Sequence, residues 1–426
     1  MRLLEHARRS SFLRHNGVLF VGAAAVGALN YLYYPVLGRL LDTTAFGEVQ
    51  TLISLFLQVT IFLTVLGLVT TNVVTNYDSA EQRNAVVLEF EKLALYLGLA
   101  VFLVAILFGG GLAHFLHFSS RTPFILLMAA LVASVPFTFR TAFLRGKQRF
   151  GLSSIANLIG AGGKLVFAVI FVALGLGTAG AIGGLLAAQI VACFFAAAWA
   201  GQAGLHRPAE HRILRLPSFR VLAPELRYGL FVLVASLVVT LQYSIDIILV
   251  KHYFDPHTAG LYAGIASVAR IIFFLTASIG LVLMSSVRLN APSDHNRKLG
   301  LKSLGLLFGV GLPVVLLCMV NPHRVVGVLM GQTYQDMAYL LPRLAIAIFV
   351  ISILNIIVSY YVALRRYAIA PVLVVGAGLT YGLMVLNHSS PEAIVNSLLI
   401  GSLSLLGLVC LWIASRGIKE YLWQKN

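Results

Sequence analysis

Twelve apolar runs, each long enough to cross a bilayer, divide this chain from one end to the other. They lie at 17–38, 47–72, 92–112, 122–139, 153–176, 179–200, 228–250, 258–286, 300–320, 339–363, 368–386 and 393–414. A membrane-spanning helix needs roughly 20 mostly apolar residues. In hydrocarbon every backbone N–H and C=O must be paired within its own segment or inside a closed barrel. No run shows the ten-residue alternation of a barrel strand, so these runs are helices. Composition agrees: 59% of residues are hydrophobic and 11% are charged, against about 25% charged in a soluble domain. The chain is read as an all-α polytopic membrane protein with twelve transmembrane helices.

The basic residues set the orientation. The net charge is +16, which in a soluble protein would point to nucleic acid; here it fits the cationic inner loops of a membrane protein. With both termini cytoplasmic, 24 of the 31 Lys and Arg residues fall on the inner side. Arg39, Arg121, Lys251, Arg324 and Arg343 fall at outer ends, and Lys164 and Arg270 lie inside spans. This predicts a multi-pass protein of the cell (inner) membrane that contacts membrane lipids and has no nucleic-acid partner. The N-terminal MRLLEHARRSSFLRHNG precedes the first run without a clear cleavage site, so that run reads as a retained helix and not a signal peptide. Cys193, Cys318 and Cys410 sit in apolar runs without metal or redox spacing and read as packing residues.

The longest polar interruption, GQAGLHRPAEHRILRLPSFRVLAPELR (201–227), falls at the centre of the chain. It separates an N-terminal lobe (1–203, helices 1–6) and a C-terminal lobe (228–426, helices 7–12) by a basic cytoplasmic linker (204–227). An internal repeat supports the division. RLLDTTAFGEVQ (39–50) follows the first helix and HYFDPHTAGLYA (252–263) the seventh, an offset of 213 residues with Asp-x-x-x-x-Gly in both. Six helices per lobe give both lobes one orientation, hence a pseudo-twofold axis along the membrane normal. Transporters built from parallel repeats bind substrate near the midplane.

RLLDTTAFGEVQTL after helix one, FLRGKQRFGLSSI before helix five and DIILVKHYFDPHTAGLYAGIASV across helices seven and eight together resemble the polysaccharide-transporter family. This family of oligosaccharide (O-antigen-type) flippases belongs to the multidrug/oligosaccharidyl-lipid/polysaccharide exporter superfamily. The resemblance spans essentially the whole chain. It implies two six-helix lobes around a V-shaped cavity that opens alternately to each side. It implies a flippase that moves an isoprenoid-pyrophosphate-linked oligosaccharide from the inner to the outer leaflet for surface polysaccharide assembly. Polysaccharide polymerase or ligase machinery is then a candidate partner. Lipid II flippases of the same superfamily have fourteen helices, and this chain has no room for two more.

Lys164 and Arg270 are each placed near midplane, about 11 and 12 residues from a helix end, or ~16–18 Å deep. A charge there costs at least ~2.5–3.5 kcal/mol and so faces a cavity or a partner. Both are candidates to attract the pyrophosphate, Arg270 as a planar fork and Lys164 as a point charge. The position of Arg270 also resembles a cavity arginine of the lipid II flippases. The competing readings are a salt bridge of Arg270 with Asp246, which is compatible with substrate contact, and snorkelling of Lys164 towards the interface. Asp246 is a candidate for that bridge or for coupling to a proton or sodium gradient. Asn30, Tyr33 and Gln58 are candidate sugar contacts, with helix–helix hydrogen bonding or interfacial anchoring as the alternative. Arg270→Ala is expected to abolish translocation and leave the fold intact.

Other chemistry is excluded. GAGGKL (160–165) lacks the glycine spacing and the hydroxyl residue of a phosphate-binding loop, so ATP is no direct energy source. No catalytic residue, metal site or cofactor is expected, coupling ions aside. A membrane glycosyltransferase would carry paired carboxylates or a metal motif on a large loop, whereas the outer acids here are scattered on short loops. A drug/cation antiporter of the multidrug and toxin extruder type is the alternative function. It would need acids in its cavity, yet cations outnumber acids within the spans.

Overall fold

The computed structural model describes residues 22–76, 79–206, 219–287 and 293–423. The whole N-terminal basic segment, residues 207–218 of the linker, Arg288 and Lys425 lie outside the described residues. The chain divides into two compact units, Met1–Leu230 and Phe231–Asn426.

The first unit begins with α1 (22–40), followed by α2 (Thr43–Asn76), α3 (Ala80–Phe115) and α4 (Thr122–Gly146), then α5 (Phe150–Phe171) and α6 (Gly177–Gln202). Helix α7 (Phe219–Tyr253) crosses the boundary between the units. The second unit continues with α8 (Pro256–Ala269), α9 (Ile271–Ser286), α10 (Ser293–Val320) and the short α11 (Pro322–Leu329). It ends with α12 (Leu341–Ala363), α13 (Ala370–Leu386) and α14 (Pro391–Trp423). Among the described residues, nine helical stretches are long and apolar enough to cross a membrane, and α8 and α9 together form a tenth span bent by 44°. One stretch, Phe150–Gln202, holds two spans, because α5 and α6 are separated by a π-helical turn. With α1, whose apolarity is diluted by Asn30, Tyr31, Tyr33 and Tyr34, the spans among the described residues number twelve. Their outer faces carry bare hydrocarbon: Leu107 and Phe108 of α3 are 74% and 71% exposed, as befits side chains whose solvent is lipid.

Local chemistry accounts for the breaks. Between α5 and α6 the chain turns through Gly175 (φ +84°) and Gly177 (φ +49°), left-handed conformations that glycine adopts without a Cβ clash. The two helices then pack very closely. A Cβ at Gly180 would come within 2.9 Å of the Phe171 backbone, and one at Gly184 would overlap the Ala168 nitrogen. The small-xxx-small pair is thus a packing face, as its spacing indicates. Both repeated Asp-x-x-x-x-Gly motifs prove to be helix starts. The Asp42 carboxylate accepts from the Ala45 N–H (2.8 Å) ahead of α2. Asp255 accepts from the His257 and Thr258 N–H groups (3.1 and 3.0 Å) ahead of α8. An acid at this position satisfies donors that the first turn leaves orphaned.

Several edges differ from the sequence expectation. Helix α3 starts at Ala80, twelve residues before the expected 92, which brings Glu91 into a helix interior as the partner of Arg140 on α4. The span expected over 258–286 is two helices, broken at Arg270. The loop expected before residue 339 contains α11 and a 3₁₀ segment, Gln332–Leu340, whose Tyr334 ring lies against Gly264 of α8. Pro136 and Pro313 lie inside α4 and α10, whereas Pro371 occupies the first turn of α13. There its missing N–H costs nothing, so it does not kink the helix. Cys193, Cys318 and Cys410 are free thiols, and Cys410 is exposed.

Candidate functional site

In the first unit the site is built on α1 and α5. Asn30 and Tyr33 are three residues apart and so share one helix face. The GAGG run just before Lys164 keeps α5 slim: Gly162 sits beside Leu29 of α1, and Gly163 against Ala188 of α6. Lys164 therefore projects from a helix closely flanked on both sides. Its Nζ donates to Asn30 Oδ1 at 2.7 Å and lies 4.4 Å from the centre of the Tyr33 ring. The ring of Tyr34 is 6.0 Å away. Tyr33 is fully enclosed; it donates its hydroxyl proton to the Ala181 carbonyl (3.2 Å) and meets Tyr34 edge-on at 87°. Lys164 is 8% exposed. It does not snorkel, because its ammonium is held sideways by an amide oxygen and an aromatic face. Among the described residues it forms no ion pair. An ammonium has three donors, and only one is spent on Asn30. Gln58, part-buried on α2, is not among the partners of Lys164.

In the second unit the charge of Arg270 is neutralised. Arg270 sits at the break between α8 and α9. Its Nη2 donates to Asp246 Oδ1 at 2.7 Å, and Nε and Nη2 both donate to the Tyr243 carbonyl of α7 at 3.0 and 2.9 Å. The Tyr262 hydroxyl donates to the other carboxylate oxygen at 2.8 Å. The guanidinium carbon lies 5.0 Å from the Tyr243 ring centre, a cation–π contact. Arg270 and Asp246 are 3% and 1% exposed. Such a pair repays its desolvation only when the remaining lone pairs and protons are also satisfied, and here Tyr243 and Tyr262 satisfy them. The salt bridge expected as the competing reading is therefore present, and it engages Arg270 and Asp246 with each other.

Sequence reasoning missed a third acid. Glu48, 1% exposed in the second turn of α2, accepts from the Ser119 N–H (2.7 Å) and hydroxyl (3.1 Å) and from the Thr178 hydroxyl (3.0 Å). It ties α2 to the loop before α4 and to the first turn of α6 without any cation. Placed among scattered outer acids, it gave only one signal: its register inside an otherwise apolar helix, six residues past the Asp42 cap. Among the described residues no group of His, Cys, Asp and Glu is arranged to hold a metal ion.

A twelve-span helical chain in two units has the fold of the multidrug/oligosaccharidyl-lipid/polysaccharide exporters. It is similar to an inward-facing multidrug resistance MATE family transporter of that superfamily, at 16% identity over 92% of this chain and 94% of that one, with a TM-score of 0.74. A eukaryotic MATE transporter matches at 14% identity over 96% of each chain, TM-score 0.63. A transporter of the superfamily from Pyrococcus furiosus, described by a binding pocket of reverse polarity that suggests a different function, matches at 18% identity. That match covers 94% of this chain and 95% of that one, TM-score 0.64. The chain belongs to the polysaccharide biosynthesis protein family, whose pattern matches residues 12–284. No curated protein matches the sequence.

Proposed function

We propose that this protein is a flippase that carries an isoprenoid-pyrophosphate-linked oligosaccharide from the inner to the outer leaflet by alternating access. Its termini would be cytoplasmic, in the inner membrane, and the polysaccharide polymerase or ligase machinery would take the product. Family membership supports polysaccharide assembly as the setting. The observation that carries the anionic, lipid-linked substrate is Lys164, a buried ammonium whose partners among the described residues are an amide oxygen and two aromatic rings, with no carboxylate. Two of its N–H groups are available to a phosphate oxygen, and in a low-dielectric site that contact is worth more than the same contact in water. Asn30 and Tyr33 are assigned to positioning the ammonium and offering polar and aromatic surface to the ligand. Arg270 is moved from phosphate receptor to neutralised strut, since its charge is spent on Asp246. Gln58 stays a candidate sugar contact on α2. A cationic drug, the alternative cargo, would need an uncommitted acid, and Asp246 is held by two donors of the protein itself and Glu48 by three. Asp246 is the carboxylate through which a proton or sodium gradient would act, and Asp246→Asn would then remove the pH or sodium dependence of transport.

The test is a headgroup-accessibility assay in proteoliposomes with fluorescent pyrophosphate-linked sugars. Wild type should translocate them and Lys164→Ala should not, at equal reconstituted amounts and equal unfolding midpoints. Unimpaired transport by Lys164→Ala would remove the residue from the site, and no transport by wild type of any such lipid would sink the function.

A further inference from the structure

The charges of α3 and α4 fall into two groups. Deeper along the pair each cation has an acid of its own: Arg140 donates to Glu91, and Lys92 to Glu89 at 3.2 Å. At the end of the pair that the charge bias assigns to the inner side, this pattern stops. Arg83, in the first turns of α3, is 8% exposed, and its Nε is enclosed without a hydrogen-bond partner among the described residues. Lys147 caps the C-terminus of α4, and its Nζ stands 6.0 Å from the centre of the Phe143 ring. Burial first, and the Arg83 charge second, lower the Lys147 pKa, so the two cations stand close enough to repel each other. Neither forms an ion pair among the described residues. Glu81 is exposed and, two residues before Arg83, lies on another face of the helix.

Two like charges held together, one of them shut away from water, are costly unless something neutralises them. The helix dipoles answer only for Lys147, at the C-terminus of α4; Arg83 sits at the N-terminal end of α3, where a cation is disfavoured. Nor is this the ordinary basic rim of an inner face, whose residues are solvated. Arg149, two residues past Lys147, is exposed. So is Arg297, which ends the SDHNR (293–297) that opens α10 as SAEQR (79–83) opens α3. The arrangement calls for an anion, and its depth says which. Ala80 and Gly146 are the inner ends of the membrane-spanning stretches Ala80–Gly111 and Thr122–Gly146, the level at which lipid phosphates lie. A phosphodiester offers both guanidinium and ammonium a charge-assisted acceptor.

We infer that Arg83 and Lys147 form a phosphate site at the inner end of the α3–α4 pair, at the depth of the lipid headgroups. An anionic phospholipid of the inner leaflet and a soluble phosphate share this chemistry, and the depth favours the lipid. Asn84, next to Arg83, donates to the Gly204 carbonyl at 2.9 Å, so a headgroup held at Arg83 also steadies the chain where it leaves α6. The site does not depend on the flippase reading, since the lipid it holds is a resident of the membrane and not the cargo.

Binding of radiolabelled phosphatidylglycerol to the purified full-length protein in detergent tests the site, with phosphatidylcholine, whose phosphate is offset by its own choline, as the comparison. Wild type should prefer phosphatidylglycerol. Arg83→Gln should weaken that binding about tenfold, the worth of one charge-assisted hydrogen bond, and Lys147→Gln should weaken it less. Arg149→Gln and Arg297→Gln should leave it unchanged. Unchanged binding in Arg83→Gln overturns the proposal, and so does an equal loss in Arg149→Gln, which would make the attraction a general one. Inorganic phosphate against chloride at matched ionic strength separates the sources: displacement keeps the site and assigns it to a soluble anion, persistence assigns it to the lipid. Thermal unfolding guards against a merely structural role. Without lipid, Arg83→Gln relieves a repulsion, so its midpoint should match or exceed that of wild type, and added phosphatidylglycerol should raise the wild-type midpoint alone. A lowered midpoint in lipid-free Arg83→Gln rejects the site. So does a fall in Asp78→Asn that Arg83→Gln reverses, since Asp78, which lies outside the described residues, would then be the counter-ion.

Discussion

The two units solve one problem in two ways. Shifted by the 213-residue repeat, Asn30 and Tyr33 of α1 fall on Tyr243 and Asp246 of α7. Both pairs hold a buried cation. In the first unit the cation comes from α5 and meets an amide oxygen and a ring; in the second it comes from the α8–α9 break and meets a carboxylate, a backbone carbonyl and a ring. A single difference, tyrosine where its counterpart is aspartate, changes the net charge of the site. With aspartate the cation becomes a structural tie. With tyrosine the charge is kept in place and no acid among the described residues compensates it.

That contrast is easiest to break at Arg270. Arg270→Ala strands a carboxylate that is 1% exposed, and breaking a buried pair in this way costs about 3–5 kcal/mol. The loss of transport with an intact fold expected from sequence therefore gives way to a lowered unfolding midpoint in detergent. Adding Asp246→Leu to Arg270→Leu should recover most of the loss, since a buried pair replaced by apolar residues is often neutral. No recovery would mean that Tyr243 and Tyr262, not the pair, hold the bend. Next in size is Glu48→Gln, which turns an amide donor towards the Ser119 and Thr178 donors and should cost about 1–3 kcal/mol. The second unit has Leu261 at the repeat-related position, so no equivalent penalty exists there. Lys164→Ala should lower translocation at least about tenfold, the worth of one charge-assisted hydrogen bond, while the thermal midpoint stays put. A matching fall in that midpoint would make Lys164 a strut like Arg270 and erase the contrast.

The smallest effects concern the caps. Asp255→Ala should cost about 1 kcal/mol, and Asp42→Ala less, because Asp255 accepts from two backbone donors and Asp42 from one. The hydrogen bonds from Thr258 hold the Asp255 carboxyl below its usual range. Its contribution is therefore complete above the unfolded-state pKa and lost as pH falls through the lower folded value. An acid titration of the unfolding midpoint should show that loss in wild type and not in Asp255→Ala; the same titration curve in both would reject the cap as its source.

Much of this was legible in the residues. Hydropathy and length located the spans because lipid forces long, uninterrupted helices. The Asp-x-x-x-x-Gly repeat was readable because a capping acid must stand two or three residues before the donors it satisfies. Arg270 and Lys164 stood out because a charge at that depth demands an explanation. The partner of Arg270 stood among the readings, since an arginine ~6 Å deeper than an acid on the same helical hairpin still reaches it with its long side chain. The partner of Lys164 was not, because Asn30 lies 134 residues away and nothing along the chain brings α1 to α5. Glu91 was overlooked for a different reason. Hydropathy places an edge where polar residues begin, whereas α3 starts at Ala80 and buries Glu91 further along by pairing it with Arg140 of α4. Hydropathy also could not see the bend at Arg270, which preserves an apolar run while changing its direction.

The glycine faces of α5 and α6 have one last consequence. With Gly180 and Gly184 seated against the backbone of α5, neither helix can slip past the other without steric collision, and the short turn at Gly175 and Gly177 gives their junction no slack. The hairpin must behave as a single lever. Whatever displaces the far end of α6 will carry the Lys164 ammonium with it, so the place of that charge is set by the tilt of two coupled rods and not by the swing of one side chain.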